Sequence, residues 1–365
     1  MKVAIVHDWL VTDAGAEKVL RSIVDLYPNA NIFSLVDFLD EAERNTIIFG
    51  KNVTTSFIQN LPFAKKHFRN YLPLFPKAIE SLDVSEYDLI ISSSWAVAKG
   101  VKTRKNQLHI CYCHSPIRYA WDLYDEYTHS LSQPKKYIIQ HVLKYIRKWD
   151  VGTLSSVDFF IANSSLVKTR IANTYNMDST IIHPPVDINK FILNKNKEEF
   201  YFTASRLVPY KKIKMIVEAF NFSGKPLIVA GSGPELIEIR KIALDNITVL
   251  GFIDDEEMRS YMQRAKAFVF AALEDFGIIP VEAMACGTPV IAYGTGGIRD
   301  TVIDGITGVY FNEQSVKSMN EAIKKFEETS FESMRISKHA KQFSEERFKT
   351  EIKAFIDEKV KSFFG

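Results

Sequence analysis

The feature that most constrains the fold of this chain is a repeated alternation between short apolar runs and longer stretches with helical periodicity. Strands of a parallel sheet are buried on both faces and read as near-continuous apolar runs, and helices connect them. The runs fall into two series, at 2–6, 31–36, 88–94, 108–113 and 158–164, then at 200–205, 226–231, 247–252, 267–273 and 289–294. The pattern predicts an α/β protein with two open, doubly wound sheets.

The length of the chain also predicts two domains. Its 365 residues exceed the roughly 250–300 at which a single hydrophobic core stops growing. A polar, Lys- and Asn-rich segment at 187–199 separates the two series and reads as a linker. We therefore predict an N-terminal domain at 1–190 and a C-terminal domain at 191–345. A last amphipathic helix, at 346–365, is predicted to pack back on the N-terminal domain.

Composition predicts a globular cytoplasmic protein. Hydrophobic residues make up 46% of the chain and charged residues 25%, the ordinary balance for a packed protein. The first apolar run, at 3–6, has four residues before His7, too short for a signal peptide, and no stretch approaches 18 uncharged apolar residues. Three cysteines do not form a disulfide framework and suit a reducing compartment.

Positive charge is concentrated in one part of the chain. Residues 51–150 carry 15 Lys and Arg against 8 Asp and Glu, whereas the whole chain has a net charge of +2. Two segments, 61–79 and 135–148, interleave these cations with apolar residues. Such basic amphipathic elements predict peripheral contact with an anionic membrane. The alternative is that their apolar faces pack on their own domain and their charges are solvated.

The stretch EDFGIIPVE, at 274–282, predicts an anion site. Pro280 suits the first turn of a helix that starts near Gly277, and Gly287 suits its C-terminal end. The free N–H groups at such a helix start favour a diphosphate. Glu274 and Glu282 would then bracket the anion. The alternative for Glu282 is an ordinary glutamate near a helix N-terminus, favoured by the helix dipole.

Two further loops follow predicted strands of the second series. SRLVPYKK, at 205–212, places Arg206 and Lys211 at a strand end, where they could neutralise a phosphate leaving group. Lys212 could take the place of Lys211, and the alternative for the whole loop is a solvated basic turn. GSGP, at 231–234, follows the next strand and lets backbone approach a ligand closely.

Taken together, these motifs resemble the retaining glycosyltransferases of family four. The resemblance is carried by SRLVPYKK, AGSGP, LGFIDDEEM, EDFGIIPVEAMACGTPVIA and GGIRDTVIDGITG in the second half, and by HDWLVTDAGAEKVL, CYCHSPIRYAWD, ANSSLVKTRI and IIHPPVD in the first. It implies the GT-B fold, two facing Rossmann-like domains with a cleft between them. Within the family, the chain looks most like bacterial mannosyltransferases of polysaccharide and O-antigen assembly.

The resemblance also implies a set of donor contacts in the second domain. Arg206 and Lys211 would bind the diphosphate of a nucleotide sugar, Glu282 the ribose and Glu274 the transferred sugar. The other implied donor contacts are Gly231, Gly251, Phe252, Ile253, Phe276, Gly277, Ile278 and Ile279. No metal or other cofactor is expected, because cations and a helix start can stabilise the leaving diphosphate.

In the first domain the resemblance singles out Gly15, at a helix start, and His114, which would contact the donor sugar. Most relatives have a second glycine where this chain has Ala14. The alternative for His114 is a loop histidine with a structural hydrogen bond. The implied reaction retains the anomeric configuration, with GDP-mannose as donor and a glycan or lipid-linked glycan as acceptor. No nucleic-acid partner is expected.

Several other interpretations remain open at this stage. The donor could be a UDP-sugar, the enzyme could be a nucleotide-sugar epimerase or a glycan phosphorylase, or the chain could be a membrane- or nucleic-acid-binding module. Cys111 and Cys113 beside His114 suggest zinc, but no second ligand pair follows at zinc-site spacing. We interpret the two thiols as buried small hydrophobes, and the acidic cluster at 254–257 as a helix N-terminus.

Overall fold

The structure is a computed structural model that describes residues 1–121 and 133–365, with side chains described from residue 136 onward in the second range. It contains two compact units, which are considered separately. The first comprises Met1–Pro185 and Phe348–Gly365, and the second comprises Val186–Arg347. Each unit is built on one parallel sheet with helices packed against it.

The sheet of the first unit has seven strands in the order β3-β2-β1-β4-β5-β6-β7, with every neighbouring pair parallel. The strands are β1 Val3–His7, β2 Asn31–Ser34, β3 Val53–Thr55, β4 Leu89–Ser94, β5 Leu108–Cys113, β6 Phe159–Ala162 and β7 Ser179–Ile181. Strand order reverses between β1 and β4. In open α/β sheets, ligands bind at the carboxyl ends of the strands at such a reversal.

Helices cover both faces of this sheet, as its apolar strands require. Their bounds are α1 Gly15–Leu26, α2 Glu41–Ile48, α3 Ala64–His67, α4 Phe75–Glu80, α5 Gln133–Gly152 and α6 Ser165–Tyr175. Alternate residues of β1 enter different hydrophobic clusters: Ile5 packs with Leu20 of α1, and Val6 packs in the cluster on the other face. Both faces of the strand are therefore dry.

The sheet of the second unit has six strands in the order β10-β9-β8-β11-β12-β13, again all parallel. The strands are β8 Tyr201–Ala204, β9 Leu227–Ala230, β10 Ile247–Gly251, β11 Ala267–Phe270, β12 Val290–Tyr293 and β13 Gly308–Phe311. The helices are α7 Ile213–Ser223, α8 Leu236–Ile242, α9 Asp255–Arg264, α10 Ile278–Ala285, α11 Ile298–Thr301, α12 Val316–Glu327 and α13 Ser333–Ala340. Strand order reverses between β8 and β11.

The last helix, α14 Glu345–Phe364, packs on the sheet of the first unit from Phe348 onward. Phe348, Ile352 and Ile356 are fully buried in the cluster that contains Ile5 of β1. The Phe348 ring also meets Tyr112 of β5 edge to face, with ring centroids 5.8 Å apart. The apolar stripe of this helix is thus part of the core of the first unit.

The α/β prediction is confirmed, and each of the ten predicted runs contains a strand. The sequence analysis missed three strands, β3, β7 and β13, and each lies at an edge of its sheet. They have only three or four residues. An edge strand pairs on one side only and is often short, so its apolar signal is weak.

The two predicted membrane-contact segments are mostly packed on their own unit. Segment 61–79 forms α3, a 3₁₀ stretch and most of α4, and segment 135–148 lies in α5, where the side chain of Lys135 is outside the described part. The buried apolar side chains are Ala64, Phe68, Phe75, Ala78, Ile79, Leu143 and Ile146. Phe63 and Ile138 remain 81% and 63% exposed. No helix in the described ranges has the length and apolarity needed to cross a membrane.

Candidate active site

In the second unit, the predicted cation loop and the predicted acidic loop lie together. Strands β8 and β11 are hydrogen-bonded neighbours, so the loops that follow them leave the sheet side by side. Lys211, at the end of a 3₁₀ turn, forms an ion pair with Glu274. The two side chains are 13% and 27% exposed. Arg206 lies exposed on the same loop.

The predicted helix start at Gly277 is also present. Helix α10 begins at Ile278, after Gly277 in the left-handed conformation at φ +89°, and no side chain in the described ranges caps it. Pro280 carries no N–H, so the first free donors are the amides of Ile278 and Ile279. Glu282, one turn further along, is only 5% exposed. This burial is not the environment of an ordinary surface glutamate in a helix.

Glycines allow the loops at this edge of the sheet to pack tightly. A Cβ on Gly231 would lie 1.8 Å from the carbonyl oxygen of Ser205, and one on Gly297 would lie 2.0 Å from that of Asp275. The Gly231 amide donates to Gly251 O at 2.7 Å, and the Gly297 amide donates to the carbonyl oxygen of Glu274 at 2.9 Å. Gly231 of GSGP therefore allows close packing between neighbouring loops, and its predicted approach to a ligand stays a prediction.

Not every implied donor contact offers its side chain. Phe276 is 4% exposed, and its ring packs against Phe343 with centroids 5.7 Å apart. The side chain of Phe276 belongs to the core of the second unit, and its contact with a donor stays a prediction. Ile253, Ile278 and Ile279 also pack partly on this core. Phe252, in contrast, is 80% exposed.

In the first unit, His114 follows β5 and is held as a neutral ring. Its Nε2 lies 2.8 Å from Ser93 Oγ, and its carbonyl oxygen accepts from Asn163 Nδ2 at 3.0 Å. Burial and the neighbouring His7 lower the pKa of His114 to about 3. The ring can therefore exchange hydrogen bonds with a hydroxyl group without adding a positive charge.

Gly15 begins helix α1, whose residue Glu17 lies close to His7 at the end of β1. The preceding Ala14 has extended backbone at φ −141°, a conformation that does not require a glycine. The Ala14 amide donates to Glu17 Oε2 at 3.1 Å, and Glu17 Oε1 lies 3.6 Å from Nε2 of the fully buried His7. The helix start at Gly15 is thus anchored to the end of β1.

The sequence analysis missed Asp8, which organises this edge of the first sheet. Its fully buried carboxylate accepts hydrogen bonds from the amides of four successive residues, 95–98, at 2.5 to 2.8 Å. The ring of Trp95 consequently lies against His7 and His114, with centroids 4.9 and 5.6 Å away. The sequence does contain a signal for Asp8, because a charged residue directly follows the first buried strand.

The cysteine pair and the acidic cluster at 254–257 have the structural surroundings that the sequence indicated. Cys111 and Cys113 are buried and pack with Phe160, which confirms them as small hydrophobes. Asp254 caps helix α9 and forms a capping box with Glu257, which confirms a helix start there. Within residues 1–121 and 133–365, no group of three His, Cys, Asp or Glu is placed to hold a metal ion.

Two parallel-sheet units, each with polar groups at the point where strand order reverses, have the architecture of GT-B glycosyltransferases. Residues 33–190 match the model of Glycosyltransferase Family 4, and residues 186–343 match the model of Glycosyl transferases group 1. The chain belongs to the family 4 glycosyltransferases.

The curated relatives include mannosyltransferases. The O-antigen chain mannosyltransferase RfbU of Salmonella typhimurium is 28% identical over 53% of this chain and 57% of its own length. A GDP-mannose-dependent alpha-(1-6)-phosphatidylinositol monomannoside mannosyltransferase of Mycolicibacterium smegmatis is 26% identical over 47% of this chain and 53% of its own length. The chain spans about half the length of the curated relatives it matches.

Solved structures agree on the fold. Anabaena Alr3699/HepE, solved in complex with UDP, superposes with a TM-score of 0.69 at 20% identity, covering 98% of this chain and 100% of that one. At this level of identity the likeness establishes the GT-B fold alone.

Proposed function

We propose that this chain is a retaining glycosyltransferase that moves mannose from GDP-mannose to a glycan or lipid-linked glycan in cell-surface polysaccharide synthesis. The observation that carries the proposal is the Lys211–Glu274 pair, which lies where the two neighbouring strands end. Beyond Glu274, the chain enters the uncapped start of helix α10. The mannosyl donor is supported by the activities named for the relatives in Salmonella and Mycolicibacterium.

In this proposal the second unit binds the donor and stabilises its leaving group. Arg206, Lys211 and the amides of Ile278 and Ile279 take the negative charge of the departing diphosphate. Glu274 holds Lys211 in place before the donor arrives, and its carboxylate accepts hydrogen bonds from the transferred sugar. The buried Glu282 accepts hydrogen bonds from the ribose.

The chemistry proposed needs no side-chain nucleophile. The acceptor hydroxyl attacks the anomeric carbon from the face that the diphosphate leaves. The bond from that carbon to the phosphate oxygen breaks as the bond to the acceptor oxygen forms, and the hydroxyl proton passes to a phosphate oxygen. The products are the glycosylated acceptor and GDP.

We also propose that the reaction does not depend on a metal ion, because Arg206, Lys211 and the α10 start supply the positive charge. Release of GDP from GDP-mannose should persist when the assay contains EDTA in excess over divalent cations. A loss of activity in EDTA that Mg²⁺ or Mn²⁺ restores would contradict this.

A UDP-sugar donor is the second candidate, favoured by the complex of HepE with UDP. A thermal-shift comparison of GDP-mannose, UDP-glucose and ADP-glucose separates the candidates, because a ligand that binds only the native state raises its melting temperature. We expect the largest shift with GDP-mannose. If none of the three nucleotide sugars shifts the melting temperature, the proposed function is wrong.

Two variants test the proposed roles of the carboxylates. Glu282→Gln should reduce the shift with GDP-mannose, whereas Glu274→Gln should retain most of the shift and slow GDP release. Glu313→Gln, at an exposed acidic residue of the same unit, is the control and should change neither quantity. Equal effects of the first two variants on binding and release would contradict the division of roles.

The proposed site of action is the cytoplasmic face of a membrane, reached through the exposed Phe63 and Ile138 and the lysines beside them. Sedimentation with vesicles of anionic phosphatidylglycerol should recover the chain, and vesicles of zwitterionic phosphatidylcholine should not. Phe63→Ser with Ile138→Ser should reduce the bound fraction, since both side chains are exposed and neither is part of the core. Unchanged sedimentation of the double variant would contradict membrane contact through these segments.

A further inference from the structure

A guanidinium group lies over the carboxyl end of β10, the edge strand of the second sheet. Arg240, on helix α8, donates from Nη2 to the carbonyl oxygen of Leu250 at 3.5 Å. A Cβ on the next residue, Gly251, would lie 3.2 Å from the same nitrogen. Gly251 has φ +87°, a backbone conformation that favours a residue without a side chain.

The guanidinium group of Arg240 has N–H donors that the hydrogen bond to Leu250 does not use. Its helix is anchored by Ile239, which is fully buried, while Arg240 itself is exposed. No carboxylate of the described ranges pairs with Arg240, although Lys214 and Glu238 pair nearby. With one N–H directed to Leu250, the remaining N–H groups keep the fixed fork geometry that recognises two adjacent acceptors.

The sheet order relates this group to the proposed donor site. The diphosphate contacts follow β8 and β11, and β10 lies two strands from β8 and three from β11. At the usual spacing between strands, these separations are about 10 Å and about 14 Å. Ribose separates a nucleotide's base from its diphosphate, so a base that extends from β8 along the sheet in this direction would reach the end of β10. There the exposed ring of Phe252 follows directly after Gly251.

We propose that Arg240 determines the donor base and selects guanine; this inference rests on the proposed function. Guanine presents O6 and N7 as adjacent acceptors, which match two N–H groups of one guanidinium. Adenine presents an amino donor beside N7, and uracil has no second acceptor adjacent to O4, so neither accepts the same pair of bonds. Phe252 supplies a face on which the base stacks.

Titration calorimetry of the full chain with GDP, UDP and ADP tests this inference. We expect the unmodified chain to bind GDP most tightly. Arg240→Ala should weaken GDP binding by roughly tenfold and leave UDP and ADP binding nearly unchanged. Arg240→Lys should weaken GDP binding by less than Arg240→Ala does, because an ammonium group can still donate to O6 and N7 but loses the planar fork.

Lys241→Ala is the matched control, since it removes one positive charge from the next position of the same helix and Lys241 is exposed. It should retain the preference for GDP. An unchanged GDP-to-UDP affinity ratio in Arg240→Ala, or an equal loss for all three nucleotides, would overturn this inference and leave the proposed function standing. If the unmodified chain binds UDP most tightly, GDP-mannose is not the donor and the inference is wrong. If it binds no nucleotide, the proposed function fails as well.

Discussion

The two units treat the charged groups near their sheet edges in opposite ways. In the first unit, the carboxylates of Asp8 and Asp150 are fully buried and are bound by groups of the same unit. In the second unit, Arg206 is exposed and Lys211 and Glu274 form a partly exposed pair. The buried and fully bonded carboxylates of Asp8 and Asp150 stabilise the fold, whereas the exposed Arg206 remains available to a ligand.

The buried pair in the first unit joins helix α5 to the loop after β4. Lys99 Nζ lies 2.7 Å from Asp150 Oδ1, and it also donates to Thr153 Oγ1 at 2.7 Å. Tyr175 and Trp121 each donate to Asp150 Oδ2 at 2.9 Å. Every charge in this cluster has a partner, which is the condition under which a buried ion pair is tolerated.

The largest effect should come from breaking that cluster. Lys99→Met leaves a buried carboxylate without its counter-ion and should lower the free energy of unfolding by about 3–5 kcal/mol. Urea unfolding followed by tryptophan fluorescence measures this in the first unit, where all four tryptophans lie. The control Lys102→Met, at a lysine that is 71% exposed, should change it by less than about 1 kcal/mol. Similar losses in both variants would contradict the comparison.

The second unit should be more sensitive to its backbone than to its charges. Gly231→Ala forces a Cβ against the carbonyl oxygen of Ser205 at a φ of +132° and should cost about 1–3 kcal/mol. It should also reduce the thermal shift with GDP-mannose. Gly224→Ala is the control, because Gly224 also has positive φ but nothing lies within 4 Å of its Cβ position. Urea unfolding followed by far-ultraviolet circular dichroism should show the smaller loss for Gly224→Ala.

Acidification should destabilise the first unit through two neutral histidines. Burial lowers the pKa of His109 to about 4 and that of His114 to about 3, below the unfolded value of about 6.5. The unfolded chain therefore binds more protons as pH falls from 6.5 towards 4. Each histidine contributes stability that is present above pH 6.5 and is lost at up to about 1.4 kcal/mol per pH unit below it.

Urea unfolding at pH 7, 6 and 5, followed by tryptophan fluorescence, measures this dependence. His109→Gln should reduce the slope of the free energy of unfolding against pH by the contribution of one histidine. His141→Gln, at an exposed histidine of the same unit, should leave the slope unchanged. A slope that is the same in all three proteins would show that His109 is not held neutral in the folded chain.

The smallest effect on stability should come from the candidate site itself. Lys211→Met breaks a partly exposed pair and should change the free energy of unfolding by less than about 1 kcal/mol, while clearly weakening GDP binding. Lys214→Met breaks the pair with Glu238 in the same unit and should leave GDP binding intact. If Lys211→Met instead destabilises the chain as much as Lys99→Met does, the pair is structural and the contrast between the units disappears.

Much of the candidate site could be predicted because its components are local. The strand before Glu274, Gly277 at a helix start and the positive charges at 206 and 211 all follow from neighbouring residues. What the pattern did not predict is that Lys211 and Glu274, 63 positions apart, form an ion pair. The core position of Phe276 was also missed, because an apolar residue beside a site reads the same whether it faces the ligand or the interior.

The sequence by itself determined two parallel sheets, the helix that begins after Gly277 and the glycines where loops approach closely, because periodicity and backbone freedom are properties of neighbouring residues. Only the tertiary structure decided the strand order and whether each charged side chain is buried and paired or exposed. The carboxylate of Asp8 accepts hydrogen bonds from backbone amides about 90 positions away, while Arg206 remains exposed. Desolvation and pairing depend on groups distant in the chain, and no local pattern carries that information.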